Sequence, residues 1–163
     1  MSSDPDKTAL LEPAVDDPCQ RRLPPQLRRA WYSLNQAFRR RIAHLKLTPD
    51  HFTVLRWLQE HPEPLTQRQL ADLMASDPNT VTSVLNRMET GGLIDRRTHP
   101  RDRRAKMVTV RPRGQKAYAE ARKIAVALQT QVLKVLPAAR RDQFLKHLEL
   151  VADAARDAAE QAP

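Results

Sequence analysis

The stretch DPNTVTSVLNRMETGGLIDRRTHPRDRR, residues 77–104, decides the fold. It opens on Asp77-Pro78, a pair typical of a helix start, because aspartate caps free backbone N–H groups and proline suits the first helical position. The helix that follows is expected to end at Gly91-Gly92. Two strands are predicted next, at residues 93–97 and 103–110, around a tip at 99–102. The stretch therefore predicts a capped helix followed by a β-hairpin.

Positive charge is concentrated in this hairpin and its flanks. Positions 96–113 hold eight arginines and lysines against one acid, Asp102. The whole chain of 163 residues carries a formal charge of +9, with a pI near 10.4. Crowded cations repel one another unless an anion is near, so this concentration favours a nucleic acid over an anionic membrane as partner. The alternative is a solvated hairpin edge that is merely protected from aggregation.

The helix after Asp77 has the polar chemistry of a surface that reads bases. On a helical wheel its apolar residues fall on one side, which we expect to be buried: Val81, Val84, Leu85 and Met88. The other side carries short polar side chains: Asn79, Ser83, Asn86 and Arg87, with Thr80 and Thr82 at its flanks. These groups donate and accept hydrogen bonds, as base readout in a major groove requires. The alternative is the polar outer face that any surface helix has.

Two helices are predicted before this stretch. Thr48, followed by proline, starts the first of them. Thr66 and Gln69 form a capping box that starts the second, which is short, and Leu65 and Leu70 are placed as its hydrophobic staple. A short helix, a turn and a second capped helix therefore precede the hairpin.

Long helices with apolar stripes flank this central region. The first is opened by a Pro-Pro pair and carries Leu27, Trp31, Leu34, Phe38, Ile42 and Leu45. The second runs from about residue 112 to residue 137, with Ala117, Ile124, Leu128, Val132 and Val135. The last starts near residue 138 and carries Phe144, Leu148, Val151 and Ala155. The chain is therefore expected to be mainly α-helical, with one small β-hairpin.

Several classes of protein are disfavoured by the sequence. No apolar run approaches the roughly 18 residues of a membrane span. Residues 1–22 resemble a flexible acidic arm and not a secretory signal. One cysteine, Cys19, excludes an intramolecular disulfide framework, so a reducing, cytoplasmic setting is expected. The chain has three glycines and lacks H-E-x-x-H and G-x-S-x-G, so we expect neither an enzyme nor a cofactor.

Residues 77–96, followed by Pro-Arg-Asp-Arg-Arg at 100–104, resemble the winged helix-turn-helix of the MarR family of bacterial transcriptional regulators. The resemblance spans about residues 24–155. The family signature is D-x-R, five residues, then Leu-Thr. Asp102 and Arg104 match it, whereas Val110-Arg111 replaces Leu-Thr. This departure affects the return strand of the wing and the cap of the next helix.

The resemblance implies a way of binding DNA. The helix at residues 78–90 would lie in the major groove, and Arg104 would enter the minor groove, oriented by Asp102. Arg101 and Arg103 would contact phosphates. The family is homodimeric and binds pseudo-palindromic operators, so two reading helices would meet half-sites about one helical turn apart. The implied regions are residues 47–112 for DNA binding, and 23–46 with 113–163 for dimerisation.

The resemblance also implies release from DNA by a small phenolic or amphipathic effector. The helices that would line its site carry Trp31, Tyr32, His44, His51, Phe52, Arg56 and Trp57. Trp31 and Phe52 are expected to be core residues, and both histidines have an ordinary structural alternative. Some relatives sense zinc, but the chain lacks a dense cluster of ligands, so we expect no metal. Others sense peroxide with a cysteine, and Cys19 lies beside two arginines that would lower its pKa.

The sequence thus favours a homodimeric, ligand-responsive transcriptional repressor that binds double-stranded DNA sequence-specifically. Three alternatives stay open. One is an architectural protein that binds DNA without sequence preference. Another is a protein-interaction module whose basic hairpin meets an acidic partner. The last is a redox-sensing regulator that uses Cys19, for which an incidental thiol in a flexible arm is the simpler interpretation.

Overall fold

The computed structural model describes residues 22–161. This range contains six α-helices, one 3₁₀ turn and three short strands. In chain order they are α1 (Leu23–Ile42), the 3₁₀ turn Ala43–Leu45, α2 (Pro49–Glu60), β1 (Leu65–Thr66), α3 (Gln67–Leu73), α4 (Pro78–Thr90), β2 (Ile94–Thr98), β3 (Lys106–Val110), α5 (Pro112–Leu133) and α6 (Ala138–Glu160). The mainly helical fold class is confirmed. Cys19 and almost all of the acidic arm lie outside the described residues.

The helix starts follow the capping signals of the sequence. The side chain of Thr66 accepts a hydrogen bond from the backbone N–H of Gln69 at 3.2 Å, and Gln69 Oε1 accepts one from the backbone N–H of Thr66 at 2.8 Å. Asp77 caps α4 by accepting from two backbone N–H groups. Thr48 caps α2 through His51, whose Nδ1 accepts from the Thr48 backbone at 3.4 Å. These bonds satisfy donors that a helix cannot satisfy internally.

The sheet has one strand more than the hairpin we expected. Its order is β1-β3-β2, all antiparallel, and β1 pairs Leu65 with Val108 and Thr66 with Met107. A strand of two residues is too short for an alternating pattern, so the sequence showed it only as the lead into α3. Because β1 pairs with β3, the start of α3 is tied directly to the hairpin.

Both strands of the hairpin begin later than predicted: β2 is shifted by one residue to Ile94–Thr98, and β3 begins at Lys106 instead of Arg103. Leu93 donates its backbone N–H to Met88 at 2.9 Å and so completes the end of α4, where Gly92 adopts a positive φ of 68°. Ala105 donates to the carbonyl of Asp102 at 3.0 Å, so residues 103–105 belong to the turn. We call residues 94–110 the wing and residues 99–105 the wing tip.

The chain divides into two compact units at the junction of residues 37 and 38. In the second unit, all four apolar residues predicted for the inner face of α4 are buried, together with Leu70, Ile94 and Val108. Phe52 packs edge-on to Phe38 at 5.0 Å between ring centroids and stacks on Tyr118 at 5.5 Å. These contacts give α4, the sheet and α2 a common apolar core.

The apolar stripes predicted for the long helices differ from the structure. In the first unit Trp31 is 67% exposed, so its expected place in the core is wrong for the single chain. The first stripe does not continue to Leu45 in one helix, because α1 ends at Ile42 and Lys46 takes a left-handed conformation after the 3₁₀ turn. Likewise α5 ends at Leu133, and Val135 beyond it is 85% exposed.

Candidate nucleic-acid interface

The outer face of α4 presents four exposed polar side chains at helical spacing: Asn79, Ser83, Asn86 and Arg87. Within residues 22–161, the side chains of Asn79 and Ser83 have no hydrogen-bond partner. Arg87 donates from Nε to the carbonyl of Ser83 at 3.3 Å, one turn back on the same helix. Asn79 and Ser83 therefore keep their donors and acceptors available to an external group.

The two flanking threonines are already engaged inside the protein. The Thr80 hydroxyl donates to the carboxylate of Asp77, and this bond holds the pKa of Asp77 below its usual value. Thr82 donates to the carbonyl of Pro78 at 2.8 Å and accepts from Gln67 at 2.7 Å. Their hydroxyls thus hold the start of α4. Gln67 braces α3 against α4, a role that no local pattern in the sequence indicates.

Asn86 is joined to Arg96 on β2 of the wing. Arg96 donates from Nη2 to Asn86 Oδ1 at 2.6 Å and to Glu89 Oε2 at 2.6 Å. The Arg96 Nε also reaches Glu89 Oε2 at 3.0 Å, and its backbone N–H reaches Glu89 Oε1 at 3.2 Å. The hydrogen bond from Arg96 lowers the pKa of Glu89. We call Asn86, Glu89 and Arg96 the helix–wing clamp.

The wing tip is held by its own backbone. Asp102 Oδ1 accepts from the backbone N–H of Arg104 at 2.9 Å, and His99 Nδ1 accepts from that of Arg101 at 3.1 Å. The tip closes through His99, which donates to the carbonyl of Ala105 at 3.0 Å. Asp102 thus orients Arg104 through the main chain, leaving the guanidinium free.

Three of the candidate phosphate and groove ligands are unpaired cations. Arg101, Arg103 and Arg104 are exposed, and none of them forms an ion pair within the described part of the chain. By contrast, Arg96 pairs with Glu89 and Arg111 pairs with Asp95, each at 2.6 Å. The charge count over positions 96–113 did not include these two acids, Glu89 and Asp95. Among the described residues, the positive charge of the wing that is not neutralised by an ion pair therefore lies mainly at the wing tip.

Three of the candidate effector residues lie on α2 and carry buried polar atoms. His51 Nε2, Arg56 Nε and Trp57 Nε1 have no hydrogen-bond partner within residues 22–161, although Arg56 Nε lies 3.9 Å from Glu60 Oε2 in an ion pair. Since Nδ1 of His51 accepts a bond, its proton is on Nε2. Burial, and then the charge of Arg87, lower the pKa of His51 against the opposing effect of Asp50. The guanidinium of Arg56 lies 4.8 Å from the Trp57 ring centroid, a cation–π contact.

The remaining effector candidates are placed differently. His44 is exposed in the 3₁₀ turn, and Trp31 and Tyr32 are exposed on α1. Phe52 is half-buried in its aromatic contacts. Among residues 22–161, no group of His, Cys, Asp and Glu could hold a metal ion. None of the helices in that range is long and apolar enough to cross a membrane.

This arrangement of capped helices and wing matches a known family. Residues 45–105 match the model of the MarR family. Over this segment the chain is similar to the MarR family. The match covers α2, α3, α4, β2 and the wing tip, which are the elements that carry the candidate DNA-reading face.

Solved structures of other proteins share the fold beyond this segment. The transcriptional repressor CouR of Rhodococcus jostii RHA1, bound to a 23-mer DNA duplex, is 28% identical, with a TM-score of 0.71 over 78% of this chain and 89% of its own. CouR bound to p-coumaroyl-CoA gives 24% identity and a TM-score of 0.69 over the same shares. Staphylococcus aureus MepR in complex with DNA is 19% identical, with a TM-score of 0.76 over 83% of this chain and 99% of its own.

Proposed function

We propose that this chain is a regulator of the MarR type: a homodimeric repressor that binds double-stranded DNA sequence-specifically and is released by a small effector. The observation that carries the proposal is the pairing of two features in one compact unit. One is the outer face of α4, where Asn79 and Ser83 have free polar side chains. The other is the wing tip, where Arg101, Arg103 and Arg104 form no ion pair with any of residues 22–161.

The two features suit different parts of a DNA duplex. A helix with short polar side chains fits the major groove, where base edges present distinct donor and acceptor patterns. An extended arginine at a wing tip fits the narrow minor groove, whose potential attracts guanidinium groups. We assign Asn79 and Ser83 to base contacts, Arg104 to the minor groove, and Arg101 and Arg103 to phosphates. CouR and MepR, which share the fold, were each solved with DNA.

Exposed apolar side chains support a dimer. On α1, Leu23, Leu27, Trp31, Tyr32 and Leu34 are between 39% and 67% exposed. On α6, Phe144, Leu145, Leu148 and Leu150 are between 37% and 65% exposed. Apolar faces of this extent mark interaction surfaces on soluble proteins. We therefore assign residues 23–46 and 113–163 to dimerisation and residues 47–112 to DNA binding, with a pseudo-palindromic operator following from the two-fold symmetry.

Buried donors on α2 support effector binding. His51 Nε2, Arg56 Nε and Trp57 Nε1 are buried donors without a hydrogen bond among residues 22–161, and a buried donor without an acceptor costs free energy. Arg56 Nε has a long ion pair of 3.9 Å with Glu60, so the cost falls mainly on His51 and Trp57. A phenolic or amphipathic carboxylate supplies both acceptors and an aromatic surface for Trp57. Binding there would act on α2, which shares its core with α4. CouR, which shares the fold, was solved with p-coumaroyl-CoA, whose coumaroyl group is phenolic.

The test is a selection of bound sequences from a randomised duplex library, followed by gel-shift titrations at several salt concentrations. We expect an inverted repeat bound at least a thousandfold more tightly than random DNA at physiological salt, since specific binders exceed nonspecific binding by roughly 10³–10⁷. Sedimentation equilibrium should give a dimer. A ratio of specific to nonspecific DNA affinity near one would instead indicate an architectural DNA-binding protein. An absence of DNA binding at low salt would instead favour a protein-interaction module.

Phosphate contacts are separated from base contacts by the salt dependence. Arg101→Ala and Arg103→Ala should each reduce the salt slope by about 2, one phosphate contact from each protomer, and weaken all sequences equally. Lys123→Ala on α5 removes the same charge and serves as the control, with an unchanged slope. For the effector site, Trp57→Phe keeps the aromatic ring and removes Nε1, so a phenolic acid that releases wild-type protein from DNA should act more weakly on this variant.

A further inference from the structure

The helix–wing clamp joins the C-terminal half of α4 to the strand that leads into the wing tip. Four hydrogen bonds of 2.6–3.2 Å connect Arg96 on β2 with Asn86 and Glu89 on α4. We propose that Arg96 is a positioning residue that sets where the wing tip lies relative to the DNA-reading face. This inference rests on the proposed function, because it concerns how two DNA contacts are held at one spacing.

The clamp differs from an ordinary surface ion pair. The Arg96 side chain is 18% exposed, whereas the two members of the Lys146–Asp142 pair on α6 are 70% and 80% exposed. Exposed single pairs add little rigidity, because solvent competes for both partners. The planar guanidinium of Arg96 instead donates hydrogen bonds to two acceptors at once, a geometry that a lysine ammonium does not reproduce. The clamp thus constrains the orientation of the Arg96 side chain relative to α4 as well as its distance from α4.

Glu89 also holds the backbone of the wing. In the order β1-β3-β2, the strand β2 is an edge, and its outward N–H groups lack a neighbouring strand. Glu89 Oε1 takes the backbone N–H of Arg96 while Oε2 takes its guanidinium. One carboxylate on α4 therefore fixes both the main chain and the side chain of one residue, three positions before the wing tip begins.

The clamp changes the role of Asn86. An arginine guanidinium only donates, so the atom of Asn86 that faces Arg96 at 2.6 Å is its carbonyl oxygen. That oxygen is one of the two groups a bidentate adenine contact would need. Asn86 is thus assigned to the clamp, and base reading on α4 falls to Asn79 and Ser83.

A double-mutant cycle tests whether Arg96 positions the wing. Arg104→Ala is measured by gel shift on the selected operator in three backgrounds: wild type, Arg96→Lys and Arg111→Lys. Both lysine variants keep the charge. Arg111 is a matched control, since its 2.6 Å pair with Asp95 does not involve α4. We expect Arg104→Ala to weaken binding roughly tenfold or more in wild type and in Arg111→Lys, as for a charge-assisted bond.

In the Arg96→Lys background we expect Arg104→Ala to cost less by a factor of roughly three or more, the size of coupling that cycles resolve. An equal cost in all three backgrounds overturns the inference while leaving the proposed function intact. No cost of Arg104→Ala in wild type instead overturns the wing contact in the proposed function, and the inference with it. If thermal unfolding shows that Arg96→Lys is not folded, the exposed Asn86→Ala takes its place in the cycle.

The role of Asn86 has a separate test by rescue. Asn86→Asp keeps an acceptor for Arg96, whereas Asn86→Ala removes it. If Asn86 belongs to the clamp, Asn86→Asp restores the coupling of Arg104 that Asn86→Ala loses, and the selected base motif is the same as for wild type. If Asn86 reads a base, Asn86→Asp changes the preferred base at one position of each half-site, and the assignment to the clamp is overturned.

Discussion

The side chain of Asp102 holds Arg104 by its backbone: Oδ1 accepts from the Arg104 N–H at 2.9 Å, and the guanidinium is left without a partner among the described residues. The acid in the D-x-R signature therefore shapes the turn and does not neutralise the arginine. A turn of this kind uses the side-chain oxygen as a substitute for a backbone carbonyl. The proposed minor-groove arginine is thus fixed at its base and free at its end.

This geometry separates the charge of Asp102 from its hydrogen bond. Asp102→Asn keeps the Oδ1 acceptor and removes a negative charge beside the DNA, so we expect operator affinity equal to or above that of wild type. Asp102→Ala removes the same charge and also the bond, and should bind roughly 2- to 10-fold more weakly than Asp102→Asn, as for one hydrogen bond. Gel-shift titration of the two variants measures the difference. Equal affinities would show that the turn does not depend on this bond.

Base reading by α4 is tested at its two free side chains. Asn79→Ala and Ser83→Ala should each relax the preference at one position of the half-site, by about 1–3 kcal/mol for a good base contact. Repeating the library selection with each variant measures the change, and Ser33→Ala, an exposed serine on α1, is the control. A uniform loss of affinity across all sequences would reassign the residue to phosphate positioning.

Local sequence patterns were sufficient to predict where these helices start. Each cap at Thr48, Thr66 and Asp77 uses atoms within three residues of the cap, so the pattern and the contact coincide. The strand β1 was missed because its partner is supplied by β3, some forty positions along the chain. Likewise, the acids that pair with Arg96 and Arg111 lie 7 and 16 positions away and are brought together only by the fold.

The end of α4 and the start of α5 meet at Gly114. A Cβ at this position would lie 2.2 Å from the carbonyl oxygen of Leu93 and 2.9 Å from the Val110 side chain. A backbone oxygen cannot move away without a shift of the main chain. Gly114→Ala should therefore lower the free energy of unfolding by about 1–3 kcal/mol, as overpacking does. Gly91→Ala, whose nearest contact would be 3.2 Å, is the matched control. Chemical denaturation measures both, and equal stabilities would contradict the close approach.

The stability of the protein should depend on pH through His51. Its pKa in the folded state is lowered, first by burial and then by the charge of Arg87, so the folded protein keeps the ring neutral. In the unfolded chain the ring takes up a proton near its ordinary pKa of about 6.5. Below that pH the unfolded state binds more protons, so the free energy of unfolding falls as the pH is lowered, until the lowered pKa is reached.

His51→Gln isolates this contribution. Glutamine is the usual third residue of a capping box, so it keeps an acceptor for the Thr48 backbone N–H and removes the titrating ring. Urea denaturation between pH 5 and 8 should show a shallower fall of stability for His51→Gln than for wild type below about pH 6.5. His44→Gln, at an exposed histidine of the 3₁₀ turn, should keep the wild-type dependence. If both variants follow the wild-type curve, the neutral buried ring at position 51 does not control the acid stability.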